Sequence, residues 1–252
     1  MSEAHPPVII SLQNVSKTFV KIADQEFTAV DTVALEIVHG DMVALLGKTG
    51  CGKSTLFNLI AGLTEVSSGK ILVDGLDPFL EFAELRGKMA IVFQNDRLLP
   101  WRTAIANVEV GLEILGVSKT ERRDKARYWL GRLGLSDHEQ DYPHALSGGM
   151  RQRVAIARAF ATDANILLCD EPFSALDEMT AKRLREEFRA LVKEGKRTAI
   201  FITHSIAEAL QIGNRIIVLK PPARISQDMR VGDGTDASLD EIRKKIEHVL
   251  AA

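Results

Sequence analysis

Met42-Val43-Ala44-Leu45-Leu46-Gly47-Lys48-Thr49-Gly50-Cys51-Gly52-Lys53-Ser54-Thr55 sets an apolar run, a glycine-rich loop and a helix start in immediate succession. Residues 47–54 fit G-x-x-x-x-G-K-[ST]. The context that gives this pattern meaning is present, with a strand at 42–46 before it and a helix at 54–61 after it. Glycines let the backbone wrap closely, so that its N–H groups converge on phosphate oxygens. The helix N-terminus adds a partial positive charge. Lys53 supplies a point charge for outer phosphates, and the Ser54 hydroxyl can ligate magnesium. Gly47, Lys48, Thr49, Gly50, Cys51, Gly52, Lys53, Ser54 and Thr55 are therefore the candidate phosphate-binding residues. A glycine-rich turn matching by coincidence is the competing reading, and the two flanks weigh against it.

Outward from this loop, apolar or β-branched runs recur at 43–46, 89–93, 166–169, 198–202 and 216–219, each followed by a loop or helix. That is the pattern of an α/β chain with a mostly parallel sheet covered on both faces. Residues 95–163 break the alternation and read as an inserted helical subdomain, with S-x-x-E capping boxes expected at Ser118/Glu121 and Ser136/Glu139. Near 182–191, Leu184, Phe188 and Leu191 share one helix face, with Lys182, Arg185, Glu186 and Arg189 pointing elsewhere. From about Pro221 onward the chain reads as a tail, with a loop at 232–234 and a last short helix capped by Ser238 and Glu241.

The chain has 252 residues, 46% of them hydrophobic, enough for one α/β domain. Its formal net charge of -2 does not resemble the footprint of a nucleic-acid binder. Cys51 and Cys169 read as reduced thiols rather than a disulfide framework. The opening MSEAHPPVII lacks the charged and apolar regions of a secretory signal. No run approaches the ~20 apolar residues that span a bilayer, so a membrane role is expected to work through a partner chain.

A second acidic constellation follows the run at 166–169. Asp170 and Glu171 end that strand, and successive residues there point differently. Asp170 suits magnesium, directly or through water, and Glu171 suits polarising a water for attack. Acids capping a solvated strand end are common; the phosphate loop tips the balance toward chemistry.

Leu146-Ser147-Gly148-Gly149-Met150-Arg151-Gln152-Arg153 precedes a helix at 154–160 and forms a second anion-binding helix start. One phosphate loop does not need it. This stretch resembles the LSGGQ signature of ABC ATPases, and the resemblance runs from about Val8 to Leu219 with motifs in the family's order. Gln94 matches the Q-loop, Ser174-Ala175-Leu176-Asp177 the D-loop, His204 the switch histidine, and Phe19 the aromatic A-loop position, with Phe27 as a nearby competitor. Each of these alone would more often be a satisfied polar residue, a core aromatic or, for Asp177, a helix cap.

The resemblance implies a P-loop NTPase (RecA-like) parallel sheet core with an inserted helical subdomain and a small N-terminal antiparallel β region. It implies an ABC ATPase domain over 1–220 and a short tail over 221–252. It also implies ATP and Mg²⁺ as cofactors and a head-to-tail homodimer in which Ser147 and Gly149 act across the pair, with Asp177 a further nucleotide-binding residue. Lys53, Ser54 and Asp170 would bind phosphate and magnesium. Gln94 would sense the γ-phosphate through magnesium, Glu171 would be the general base, and His204 would contact the γ-phosphate. Transmembrane permease subunits and, indirectly, a periplasmic or extracellular solute-binding protein are the implied partners, with no nucleic acid. The implied location is peripheral, on the cytoplasmic face of the inner membrane.

Gln94-Asn95-Asp96-Arg97-Leu98-Leu99-Pro100-Trp101, with Met150 in the signature, resembles the nitrate, sulfonate and taurine importer group. Lys48, where Pro or Ser is common, Ser205, where an acid is usual, and the tail depart from the group. Competing expectations are an export ATPase or an ABC ATPase without a transport role; the latter lacks the long coiled-coil insertion or second ATPase domain it would need here.

Overall fold

The computed structural model describes residues 6–20, 25–174, 176–232 and 238–251. Ala175 of the D-loop segment, and Asp233 and Gly234 of the expected 232–234 loop, lie outside them. In chain order the elements begin β1 (Val8–Val20), β2 (Glu26–Val38), β3 (Met42–Gly47), α1 (Lys53–Ile60) and β4 (Ser68–Val73). Then come β5 (Met89–Val92), α2 (Ala104–Ile114), α3 (Lys119–Arg132), α4 (Gly148–Ala161), β6 (Ile166–Asp170) and α5 (Glu178–Glu194). The chain ends with β7 (Thr198–Thr203), α6 (Ile206–Ile212), β8 (Arg215–Lys220), β9 (Arg224–Arg230) and α7 (Leu239–Ala251). Two units form, one of Met1–Leu85 with Phe188–Ala252 and one of Arg86–Glu187.

In the first unit β1 pairs antiparallel with β2 on one side and β4 on the other. Along β2, Val33, Leu35 and Ile37 are buried while Thr32, Ala34 and Glu36 are exposed, the two-residue period of a sheet with one wet face. The same unit holds β3 between two parallel neighbours, β7 and β8. Every residue of β3 and of β7 is buried, so these strands read as continuous apolar runs rather than alternations. Each fully buried aliphatic side chain there contributes roughly 1.5–3 kcal/mol.

The stretch read as a tail contains two elements. Strand β9 runs antiparallel to β8, with Arg230 and Arg215 both reaching the buried carboxylate of Asp41. Its residues Arg-Ile-Ser-Gln-Asp-Met-Arg carry no apolar run, which is why the sequence does not announce a strand. Helix α7 closes its N-terminus with the expected box: Glu241 N–H donates to Ser238 Oγ at 3.3 Å and Ser238 N–H donates to Glu241 Oε2 at 2.8 Å.

In the second unit β5 and β6 pair in parallel. Helices α2, α3 and α4 pack together, with the Trp129 and Phe160 ring centroids 5.1 Å apart. Ser118 caps α3 as expected, accepting from Glu121 N–H. The box at Ser136/Glu139 does not form. Ser136 sits inside a short 3-10 turn, Ser136–His138, with no side-chain cap, and the Glu139 carboxylate pairs with Arg127 instead. Helix α4 begins at Gly148, within the signature stretch rather than at 154. Along α5, which the unit boundary at 187/188 divides, Leu184, Phe188 and Leu191 are buried as expected, but Arg185 is buried too, with its guanidinium 2.7 Å from Glu178. The charge is tolerated because a carboxylate meets it.

Candidate active site

The loop after β3 is shaped by glycine. Gly50 and Gly52 have φ of +81° and +101°, the left-handed region that disfavours any side chain. A Cβ at Gly52 would lie 2.2 Å from Ala29 O, and one at Gly47 would lie 2.7 Å from both Leu219 O and Cys51 Sγ. Lys53 is only 6% exposed. Its Nζ donates to Gly47 O at 2.7 Å and to Lys48 O at 2.9 Å, folding the side chain back across the loop.

The start of α1 has no side-chain cap. Every other α-helix among the described residues has one, from Thr103, Ser118, Ser147, Asp177, Ser205 and Ser238. The first N–H groups of a helix lack intrahelical partners, so the N–H groups of Lys53, Ser54 and Thr55 are available to an external anion.

In the same unit, Leu46 is the register partner of Thr203. Gly47 and His204 therefore leave the carboxyl ends of adjacent parallel strands. Ser205 caps α6 by accepting from Glu208 N–H at 3.3 Å, and Thr203 Oγ1 donates to the buried Glu208 carboxylate. A helix-capping hydroxyl is thus what Ser205 contributes after His204.

Within the second unit, β6 ends at Asp170, which is partly buried, as is Glu171. Glu171 has φ of +43°, a strained conformation for a residue with a side chain, costing on the order of 1–3 kcal/mol. Its Oε2 accepts a 3.1 Å hydrogen bond from Gln94 Nε2. Cys169 beside them is fully buried, and that burial, with the adjacent Asp170 charge, pushes its thiol far above the ordinary range. It is an inert packing group. Cys51 and Cys169 are both free.

Ser147 caps α4, accepting from Met150 N–H at 3.2 Å. A Cβ at Gly149 would lie 2.8 Å from Leu176 Cδ2, so the signature glycine packs against the D-loop segment. Asp177 caps α5 through Thr180 N–H at 3.0 Å, and that bond, first among several, holds its carboxyl below the usual range. Phe19 and Phe27 are direct cross-strand partners, 40% and 44% exposed. Lys17 Nζ stands 5.1 Å from the Phe19 ring centroid.

The ABC transporter family model matches residues 30–174. An uncharacterized ABC transporter ATP-binding protein of Methanocaldococcus jannaschii is 39% identical, covering 96% of this chain and 91% of that protein. The taurine import ATP-binding protein TauB of Yersinia pestis is 42% identical over 82% of this chain and 80% of its own length. TauB of Rhizobium johnstonii is 45% identical over 78% and 74%. Among solved structures, the dimeric ATP-binding cassette MJ0796 bound to ADP and Pi superposes with a TM-score of 0.81 at 34% identity, covering 88% of this chain and 99% of that one. The chain belongs to the ABC transporter family. It is an ATPase that binds ATP, with Mg²⁺ as the family's usual partner ion, and it is similar to taurine import ATP-binding proteins. No helix among the described residues is long and apolar enough to cross a membrane.

This ABC ATPase also wires its Q-loop segment to the signature helix through residues the motifs do not contain. Arg151 Nε donates to Asp96 Oδ2 at 3.0 Å, and Arg158 donates to Asp96 O at 2.8 Å and Arg97 O at 2.9 Å. Burial is the main force pushing the Arg158 guanidinium's pKa down, with Asp96 opposing. The signal in the sequence is the seven-residue spacing of Arg151 and Arg158, which puts both on one face of α4. Fully buried Asn107 accepts from Leu99 N–H at 2.7 Å and donates to the carbonyls of Leu99, Arg102 and Thr103. It fixes the loop that carries Trp101, which is 71% exposed while Leu98 is 8% exposed.

Proposed function

We propose that this ABC ATPase powers import of a small anion or organic solute of the taurine, sulfonate or nitrate class through a separate permease. The observation that carries the importer reading is the 42–45% identity to taurine import ATP-binding proteins over about four-fifths of the chain. Two copies pair, a reading supported by the dimeric MJ0796 cassette, and in this proposal they pair head to tail. Permease subunits and, through them, a solute-binding protein are the partners. The protein then works peripherally, on the cytoplasmic face of the membrane.

Each residue has a part in this reading. The loop Gly47 to Thr55 cradles the ATP phosphates, with Lys53 turning from the Gly47 and Lys48 carbonyls to the outer phosphates. Ser54 and Asp170 present hard oxygen donors of the kind that suit Mg²⁺, which is commonly held by one or two side chains plus substrate phosphates and waters. The ion's contribution when bound is to neutralise developing charge on the phosphates. Gln94 joins that set from the Q-loop. Glu171 accepts the proton of the attacking water, and His204 contacts the γ-phosphate. Ser147 and Gly149 at the start of α4, with Asp177, act on the partner's nucleotide. Phe19 stacks on the adenine.

Reconstitution with the cognate permease and solute-binding protein in vesicles tests the importer reading. ATP-driven accumulation of labelled taurine, an alkanesulfonate or nitrate, stimulated by the binding protein, is the expected result. ATP-driven efflux, or ATPase activity indifferent to both partners, would move the chain to export or to a non-transport role.

A further inference from the structure

The side chain of Lys48 and helix α7 take no part in the chemistry above, yet they line one cleft. Lys48, Leu219, Lys220, Pro221, Val249 and Leu250 line one cleft of about 130 Å³. Helix α7 anchors itself through Ile242 and Ile246, which are 2% and 0% exposed. Val249 and Leu250 continue that stripe at helical spacing. Instead of being fully buried, they end half-buried at the cleft beside the phosphate loop.

The other wall of the cleft is the loop's own foundation. Gly47 leaves no room for a Cβ against Leu219 O, so the loop's first residue sits directly on the end of β8. The Lys48 carbonyl accepts from Lys53 Nζ at 2.9 Å and from Cys51 N–H at 3.2 Å. For Lys53 to reach a phosphate, its Nζ must leave the carbonyls of Gly47 and Lys48. Whatever fixes the 47–48 peptide therefore sets how readily the loop opens to nucleotide. Lys48 is exposed; a lysine stem can lie along apolar surface, and its charge favours the last turn of a helix.

We infer that the last turn of α7, through Val249 and Leu250 across the cleft from Lys48, positions the first peptide of the phosphate loop and thereby tunes ATP affinity. Lys48 is a positioning residue here, and α7 is the element that holds it. The inference rests on residues 47–55 being the phosphate cradle.

The test is a double-mutant cycle on the full chain, with Mg-ATP as the probe in calorimetry and hydrogen exchange read over residues 48–53. Lys48→Ala and Val249→Asp should each change the Kd by about two- to fivefold, the scale of one charge at a helix end. The double variant should change it no more than the larger single effect. Exchange over 48–53 should speed up in Val249→Asp while the melting temperature stays near wild type. If Val249→Asp melts α7, seen as fast exchange across 239–251, Leu250→Ala takes its place in the same cycle. An unchanged Kd in the α7 variant, or effects that simply multiply, would overturn the inference. Near-wild-type binding by Lys53→Ala would instead overturn the phosphate-cradle assignment, so the two failures are distinguishable.

Discussion

Gln94 Nε2 donates a 3.1 Å hydrogen bond to Glu171 Oε2, joining the Q-loop amide to the proposed general base. The base is thus held in a defined rotamer by the residue proposed to sense the γ-phosphate. In the proposed reading, that bond ties the residue that senses the γ-phosphate to the carboxylate that accepts the water's proton. The positive φ of Glu171 has the same sense, since strain of this kind persists where surrounding structure enforces it.

Replacing Glu171 by Gln should keep ATP binding and remove turnover. The amide preserves size and can still hydrogen-bond Gln94, yet it cannot accept the water's proton. Losses of ~10²–10⁴-fold are expected from removal of a general base. An ATP-bound dimer should accumulate, visible by size-exclusion chromatography. Ordinary hydrolysis rates in this variant would place the base elsewhere.

Lys53→Ala should lose useful Mg-ATP binding. The charge-assisted contact to phosphate disappears, and the carbonyls of Gly47 and Lys48 lose the donor they share. A hydrogen bond to a charged group is worth about 1.5–3 kcal/mol, so a weakening of roughly tenfold to a hundredfold is the expected calorimetric result. An affinity near wild type would detach residues 47–54 from phosphate binding.

If adenine is held by stacking on Phe19, GTP should replace ATP with modest loss, because an aromatic face does not read base edges. Such stacking is worth ~0.5–1.5 kcal/mol beyond buried area. Phe27 stands directly opposite on the neighbouring strand, similarly exposed, so the paired variants Phe19→Ala and Phe27→Ala decide between them. Weaker nucleotide binding in Phe27→Ala alone would transfer the role to Phe27.

Much of this was legible in the sequence, because the information is local. An apolar run, two glycines at fixed offsets and a Lys-Ser pair define the loop at 47–54 without reference to distant residues. Apolar continuity located β3, β6, β7 and β8 to within a residue or so. Strand β9 was illegible because its residues carry no apolar run, its pairing with β8 is a backbone ladder, and the tie of Arg230 to Asp41 crosses 189 positions. Ser136/Glu139 matched a capping pattern that tertiary packing overrode, since Arg127 takes the Glu139 carboxylate. The Asp96–Arg151–Arg158 wiring joins residues 55 or more positions apart, and only the fold brings them together.

Trp101 gives the measurement that separates a transport motor from a free-standing ATPase. Of the apolar run 98–101, only Leu98 enters the core, at 8% exposure against 71% for Trp101. At 71% exposure the indole lies outside the core, and we propose this ring as the surface on which the permease docks. Asn107 makes the presentation rigid by bonding Leu99 on both its N–H and its carbonyl and by holding Arg102 O and Thr103 O. The loop follows Gln94 by a few residues and is tied at Asp96 to Arg151 of the signature helix. Motion at the phosphate sensor would then reach a partner gripping Trp101. Trp101→Ala should therefore leave the isolated subunit's melting temperature and basal ATP hydrolysis near wild type. Uptake in the complex with the permease should fall sharply, since an aromatic anchor at an interface often carries ~2 kcal/mol or more. Asn107→Ala should reduce both stability and uptake, because it removes the side chain that ties Leu99 N–H and Arg102 O to α2. If Trp101→Ala lowers the melting temperature of the free subunit by many degrees, the ring is structural and the coupling surface lies elsewhere. If it leaves uptake untouched, the permease does not dock on this loop.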